Sequence, residues 1–250
     1  MEEVLGKVRV QKILSENGFC SRRKAEALIS NQRVRVNGRL IHLGDQADPF
    51  TDKITVDGEQ LHICKKKEYK YLMLYKPRGY VTTMADEQGR RCVADLVSNL
   101  DERVFPVGRL DVNSEGLLLL TNDGNFANQV MHPSRHITKV YRVTIRPDIT
   151  EMQAAQLSAG VMIDGRLTAP ARVTILTKQP NRVVVEIAIH EGRNRQVRKM
   201  IDSLGLEVAR LKRTSIGPLK LGMLKPGRYR DLTKPELLAI RNLIASKASK

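Results

Sequence analysis

Asp111 is the residue of this chain best placed to do chemistry. It closes the segment Gly108-Arg109-Leu110-Asp111, just ahead of the apolar run Gly116-Leu117-Leu118-Leu119-Leu120 and the turn residues Asn122-Asp123-Gly124. Four leucines ended by Asn-Asp-Gly read as a buried strand closed by a turn, so the carboxylate stands on a loop braced by a rigid core element. A lone loop aspartate also makes Asx-turns, and its partners decide between the two roles. In Lys139-Val140-Tyr141-Arg142-Val143 the alternation puts Lys139, Tyr141 and Val143 on one strand face. The segment Glu191-Gly192-Arg193-Asn194-Arg195-Gln196-Val197-Arg198-Lys199-Met200 brings four cations to a loop and the first turn of a helix, with Arg195, Arg198 and Lys199 at helical spacing. Cations crowding the positive end of a helix call for a polyanion or a buried carboxylate. Lys76-Pro77-Arg78-Gly79, following a strand, adds a rigid basic turn.

Composition narrows the chemistry. The 250 residues carry 43 basic against 27 acidic side chains, a net +16, and that excess points to a polyanionic partner bound through counterion release. No apolar run approaches the ~20 residues needed to span a bilayer, so nucleic acid is favoured over membrane. Cys20, Cys64 and Cys92 are far apart and form no Cys-x-x-Cys unit, and the five histidines are scattered. Metal ligation is therefore unsupported, and sparse unpaired cysteines fit a reducing cytoplasm. No Gly-rich phosphate loop is present either. Asp111 and Glu115 could form the acid/base pair of a glycosidase, but a neutral sugar does not call for a strongly basic protein.

The elements that must position these residues fall into two blocks. In the first, Val8 to Asn17 has helical spacing with Gly18 as its C-terminal cap, and Ser21 caps a second short helix that buries Ala25, Leu28 and Ile29. Val34-Arg35-Val36-Asn37-Gly38-Arg39-Leu40 alternates around Asn-Gly, a strong hairpin signal, and Ile54 to Gly58 adds a strand and turn. Between Arg9 and Arg39 there are eight basic residues and two acidic ones. Arg22, Arg23 and Lys24 fall in the first turn of the second helix, where a bound phosphate would offset their cost. Lys65-Lys66-Lys67-Glu68 reads as a linker. The second block has strand patterns over 71–75, 116–121, 140–145, 172–177 and 182–190. Its helical patterns cover 125–131, 151–157, 196–204 and 235–245. Mixed without strict alternation, they predict an α+β fold with a largely antiparallel sheet. Residues 246–250 read as a frayed basic tail.

Two resemblances attach to these residues. Residues 8–56, above all Cys20-Ser21-Arg22-Arg23-Lys24-Ala25-Glu26 and Val34-Arg35-Val36-Asn37-Gly38, resemble the S4 RNA-binding domain, an αα-plus-hairpin unit. The ordered set Lys76-Pro77-x-Gly79, Gly108-Arg109-Leu110-Asp111, Lys139-x-Tyr141 and Gly192-x-x-Arg195-Gln196-Val197-Arg198 resembles the RsuA/RluB-type pseudouridine synthases. Tyr75 departs from that pattern, where asparagine is common before Lys-Pro, and reads as a local packing change. The resemblance implies an S4 domain over 1–64, a linker over 65–68, a catalytic domain over 69–245 and a tail over 246–250. It implies isomerisation of a uridine in ribosomal RNA, expected in the large subunit, with no cofactor or metal. A small-subunit target, or a non-catalytic S4-type assembly factor, are the alternatives.

It further implies that Asp111 acts at the ribose as nucleophile or base, that Arg198 pairs with it, and that Tyr141 lies against the target uracil. Arg109 fills the space that a flipped base vacates. The RNA contacts expected are Arg9, Ser21, Arg22, Arg23, Lys24 and Arg35 in the first block, and Lys76, Arg109, Lys139, Arg193, Arg195 and Lys199 in the second. With no Trp and 4% aromatics, recognition is expected to rest on the shape and phosphates of folded, stem-loop RNA, by a cytoplasmic monomer.

Overall fold

The computed structural model describes residues 6–63 and 68–247. Cys64, the linker lysines 65–67 and tail residues 248–250 lie outside the described residues. The chain divides into two compact units between Tyr69 and Lys70.

The first unit packs two helices on a small sheet. α1 (Val10–Glu16) buries Val10, Ile13 and Leu14, and the chain leaves it through Gly18 at φ +78°, the left-handed exit that glycine permits. α1 starts two residues later than the periodicity predicts, because Val8–Arg9 pair as a short strand with Gln46–Ala47. α2 (Arg22–Ser30) is capped by Ser21, whose Oγ accepts from the Lys24 N–H at 3.2 Å. Val34–Val36 pairs with Arg39–Leu40 on one side and Ile54–Val56 on the other, and Glu59–Gln60 completes four antiparallel strands. Both hairpin turns place two residues at positive φ, Asn37-Gly38 and Asp57-Gly58, as a tight turn matched to strand twist requires. Arg9, Ser21, Arg22, Arg23, Lys24 and Arg35 are exposed.

The second unit is a nine-stranded sheet with helices. Its main strands are β1 (Tyr71–Lys76), β2 (Phe105–Val107), β3 (Glu115–Thr121), β4 (Lys139–Arg146), β5 (Arg172–Gln179), β6 (Arg182–Ile189), β7 (Glu207–Ile216) and β8 (Tyr229–Asp231). They lie in the order β5-β6-β4-β7-β3-β1-β8, with β2 on β3 and Leu219–Lys220 on β7. Every pairing is antiparallel except β7 with β3. The helices are α3 (Gly124–Met131), α4 (Glu151–Ala159), α5 (Gln196–Asp202) and α6 (Lys234–Ser246). α6 begins at a Thr233/Glu236 capping box and runs through Ser246, so the frayed tail starts later than expected. α5 ends at Asp202 rather than Leu204. Among the described residues no helix is long and apolar enough to cross a membrane.

The leucine run is the interior strand its composition predicts. All of β3 is buried, and Leu117 to Leu120 are each at most 1% exposed. Truncating any one of them to alanine would cost about 2–5 kcal/mol, which is why this strand can serve as a rigid backing. At its start, Gly116 (φ +110°) faces Arg213 across the parallel junction, where any Cβ would overlap the Arg213 backbone. Glycine lets the two strands meet there.

β7, the longest strand and a central one, is absent from the sequence expectation. Its ladder with β4 slips twice, so that Ala209 and Thr214 have no partner of their own. Each bulge inverts the inside/outside order of the residues beyond it. The burial pattern therefore never alternates over more than a few residues, and no strand is predicted there.

Candidate active site

Asp111 lies in the loop that joins β2 to β3, and that loop is held by its main chain. Six consecutive carbonyls, from residue 109 to residue 114, each accept a hydrogen bond from a different donor. Arg213 Nη1 donates to Arg109 O (3.4 Å), Thr82 Oγ1 to Leu110 O (2.6 Å), and the Ser114 N–H to Asp111 O (2.9 Å). The Gly79 N–H donates to Val112 O (2.8 Å), Arg198 Nη2 to Asn113 O (2.9 Å), and Lys76 Nζ to Ser114 O (2.8 Å). Three of these donors are charged, and charge-assisted bonds are the stronger kind. Gly108 enters the loop at φ +78°. The Asp111 carboxylate is thus carried by a backbone with little freedom, the condition a reacting group needs.

The loop forms one wall of a cleft of about 400 Å³. Arg109 and Asp111 lie on that wall, Lys139 and Tyr141 on β4, Arg213 on β7, and Arg193 and Arg195 on the segment before α5. Tyr141 is half-buried and packs against two core clusters, while in register it faces Arg213 across a bulge. Burial and the nearby Arg213 pull the Lys139 ammonium below its ordinary value. Arg198 is pulled down likewise, first by burial and then by Arg195, against the opposing field of Asp111. Ser114 Oγ, Arg198 Nε and Arg213 Nη2 are buried without a hydrogen-bond partner. Spare buried donors cost free energy unless something comes to meet them, and these three belong to residues that flank Asp111 or grip its loop.

A model of the RNA pseudouridylate synthase family matches residues 70–203, and one of the S4 domain matches residues 8–49. The chain belongs to the RNA pseudouridylate synthases. Its relatives in that family span nearly its whole length. Ribosomal large subunit pseudouridine synthase B of Bacillus subtilis is 40% identical over 238 residues, 94% of this chain and 96% of that protein. The dual-specificity RNA pseudouridine synthase RluF of Escherichia coli is 38% identical, over 97% of this chain and 81% of that protein. A crystal structure of a pseudouridylate synthase superposes with a TM-score of 0.67 at 31% identity, covering 93% of this chain and 99% of that one.

The structure brings Asp111, Tyr141, Arg109, Lys139, Arg193 and Arg195 to one cleft and redirects several of the cations expected to face RNA. Lys76 is fully buried, with Nζ bonded to Pro77 O (2.9 Å) and Ser114 O; it holds the loop from behind and offers RNA nothing. Arg193 spends its guanidinium on the carbonyls of Ile163, Arg166 and Leu167. Lys199 pairs with Asp164 at 2.6 Å. Arg195 is the exposed cap of α5, at φ +50°, rather than part of its first turn. Arg198 senses the field of Asp111 but makes no ion pair with it; its outer nitrogens go to Asn113 O and Val208 O.

Glu115 is turned away from Asp111, towards Arg210 and the Tyr75 hydroxyl, which donates to Oε2 at 2.9 Å. Burial pushes Glu115 up, but the bonds from Arg210 and Tyr75 outweigh it and hold the carboxyl below the usual range. The same burial and contact push the Tyr75 hydroxyl up to about 12. Glu115 is therefore a packed ionic partner, with no acid to lend to Asp111, and Tyr75 is its anchor. Sequence reasoning misses Arg213 and Ser114. Both sit where the strand pattern is broken or the loop is tight, so neither residue type stands out.

Proposed function

We propose that this enzyme isomerises a specific uridine of large-subunit ribosomal RNA to pseudouridine. The bond from the ribose to the base nitrogen breaks, the uracil turns, and it rejoins the ribose through carbon as the proton on that carbon leaves. Asp111 acts on the ribose, as nucleophile or as the base of a glycal route. Tyr141, with a stacking ring and a hydroxyl, lies against the uracil and assists the proton's departure. Arg198, bonded to Asn113 two residues from Asp111, steadies the loop that carries the carboxylate and sets a positive charge near it. Arg109, exposed at the cleft, fills the place the base leaves, a step that costs a few kcal/mol of unstacking.

The observation that carries this reading is Asp111 in a cleft with Tyr141, on a loop whose six carbonyls are all bonded. The S4 unit presents Arg9, Ser21, Arg22, Arg23, Lys24 and Arg35 to phosphates of a structured stem-loop, and the enzyme works as a cytoplasmic monomer without a cofactor. Asp111→Asn tests the assignment. Pseudouridine formation on ribosomal RNA is expected to vanish while RNA affinity stays nearly unchanged; normal turnover in the variant would overturn it. Mapping pseudouridines in ribosomal RNA with and without the protein names the uridine, and a site in the small subunit would correct the substrate.

A further inference from the structure

The hairpin that Arg193 holds carries a surface of its own. Met162–Ile163 pairs with Arg166–Leu167 around a turn at Asp164-Gly165, both at positive φ. Ile163 points into the core at 4% exposure. Met162 and Leu167 stand directly opposite one another in the ladder, 57% and 62% exposed. Side chains so paired share a face and lie about 5 Å apart at Cβ, so they form one continuous apolar ledge.

Three residues of the segment before and within α5 fix that ledge in place. Arg193 bonds to the carbonyls on both hairpin strands, the shortest at 2.6 Å to Ile163 O. Lys199 neutralises Asp164, the hairpin's single carboxylate. The Glu191 carboxylate accepts from the Ala169 N–H at 3.0 Å, just beyond the second hairpin strand. Arg193 also lines the Asp111 cleft, so the ledge is tied rigidly to the cleft's rim. Exposed Arg166 and Arg195 flank this region, and the one acidic group on the hairpin is cancelled.

We propose that Met162 and Leu167 receive a nucleobase of the substrate RNA, unstacked beside the target uridine. The inference rests on the reading of the cleft as the site of that uridine. A strand whose base has flipped leaves its neighbour without a stacking partner, and proteins commonly press Leu or Met against such exposed base faces. With 4% aromatics and no Trp in the chain, an aliphatic ledge flanked by exposed Arg166 and Arg195 is a surface suited to it. The contact is apolar, so it adds affinity without releasing counterions and leaves the salt dependence untouched.

The test is the double variant Met162→Ser/Leu167→Ser, on exposed positions whose change leaves the core intact, assayed on a ribosomal RNA fragment bearing the mapped uridine. KM is expected to rise about 10-fold with kcat and the salt slope unchanged. An unchanged KM, or a flatter salt slope, overturns the proposal. Light scattering of both proteins without RNA addresses a second copy: a dimer that the double variant dissolves would give the ledge to self-association and sink the RNA assignment. Asp111→Asn, run alongside, separates the two ideas. An inactive Asp111→Asn with an unaffected double variant removes the ledge and keeps the cleft; an active Asp111→Asn removes the cleft reading itself.

Discussion

Two arginine-rich segments stand at the starts of helices in this chain, and the fold uses them in opposite ways. At the start of α2, Arg22, Arg23 and Lys24 are exposed, no acidic residue sits in the first turn, and none of their side chains makes a hydrogen bond or ion pair among the described residues. Before and within α5, Arg193 is bound to the hairpin carbonyls, Arg198 to Asn113 O and Val208 O, and Lys199 to Asp164, leaving Arg195 exposed. The difference lies in the surroundings. α5 lies against a loop, a strand end and a hairpin that turn carbonyls towards it, those of Ile163 and Val208 part-buried, and covered carbonyls need a partner. A guanidinium, with five N–H groups in a fixed fork, satisfies several of them at once. α2 opens onto solvent, so its cations remain available to a polyanion.

Arg193 is the cation of the α5 segment most committed to the fold. Arg193→Ala strips four charge-assisted contacts from the hairpin, the shortest to the part-buried Ile163 carbonyl, so a loss of about 2–3 kcal/mol is expected. In a unit of this size that is a fall of about 5–10 °C in Tm, read by calorimetry. Because the hairpin carries the ledge, KM should rise as well. A variant with wild-type Tm would mean that Arg193 is a free surface cation after all, like those of α2.

Arg22→Ala/Arg23→Ala gives the opposite signature. Thermal stability should be unchanged, while RNA affinity falls and the slope of log K against log salt flattens by about 2. Filter binding at several salt concentrations measures it. An unaltered slope would show that these cations face no phosphate.

How much of this is written in the chain depends on who supplies the hydrogen-bond partners. The hairpins at Asn37-Gly38 and Asp57-Gly58, the Ser21 cap and the leucine strand are legible, because each depends on residue types at short range. The Asp111 loop is legible as a location, since Gly108, the buried run and the turn after it are local signals. Its clamp is not. Lys76, Arg198 and Arg213 grip main-chain carbonyls, and a carbonyl is the same whatever residue bears it. From sequence alone a lysine after a strand is a surface charge for RNA; only the fold shows that it points inward. β7 is hidden for a different reason, its two bulges having erased the period on which strand recognition depends.

Lys76 is a third kind of cation, neither free nor at a helix end, and its buried charge gives the finest test of the division. Burial, the largest influence, lowers its ammonium to about 8 from an ordinary 10.5, against the pull of Asp111 and Glu115 and with the push of Arg213. Between those two values the unfolded chain holds a proton at this site that the folded chain has shed. Stability therefore rises with pH across that window, with a slope approaching about 1.4 kcal/mol per pH unit. Below pH 8 both states are charged and the slope from this group vanishes. Lys76→Met removes the titration along with the bonds to Pro77 O and Ser114 O. Denaturant titrations at pH 7 to 10 should show the wild type gaining on the variant only above pH 8. Parallel curves would mean that the ammonium reaches solvent, and Lys76 would then rejoin the surface cations of α2.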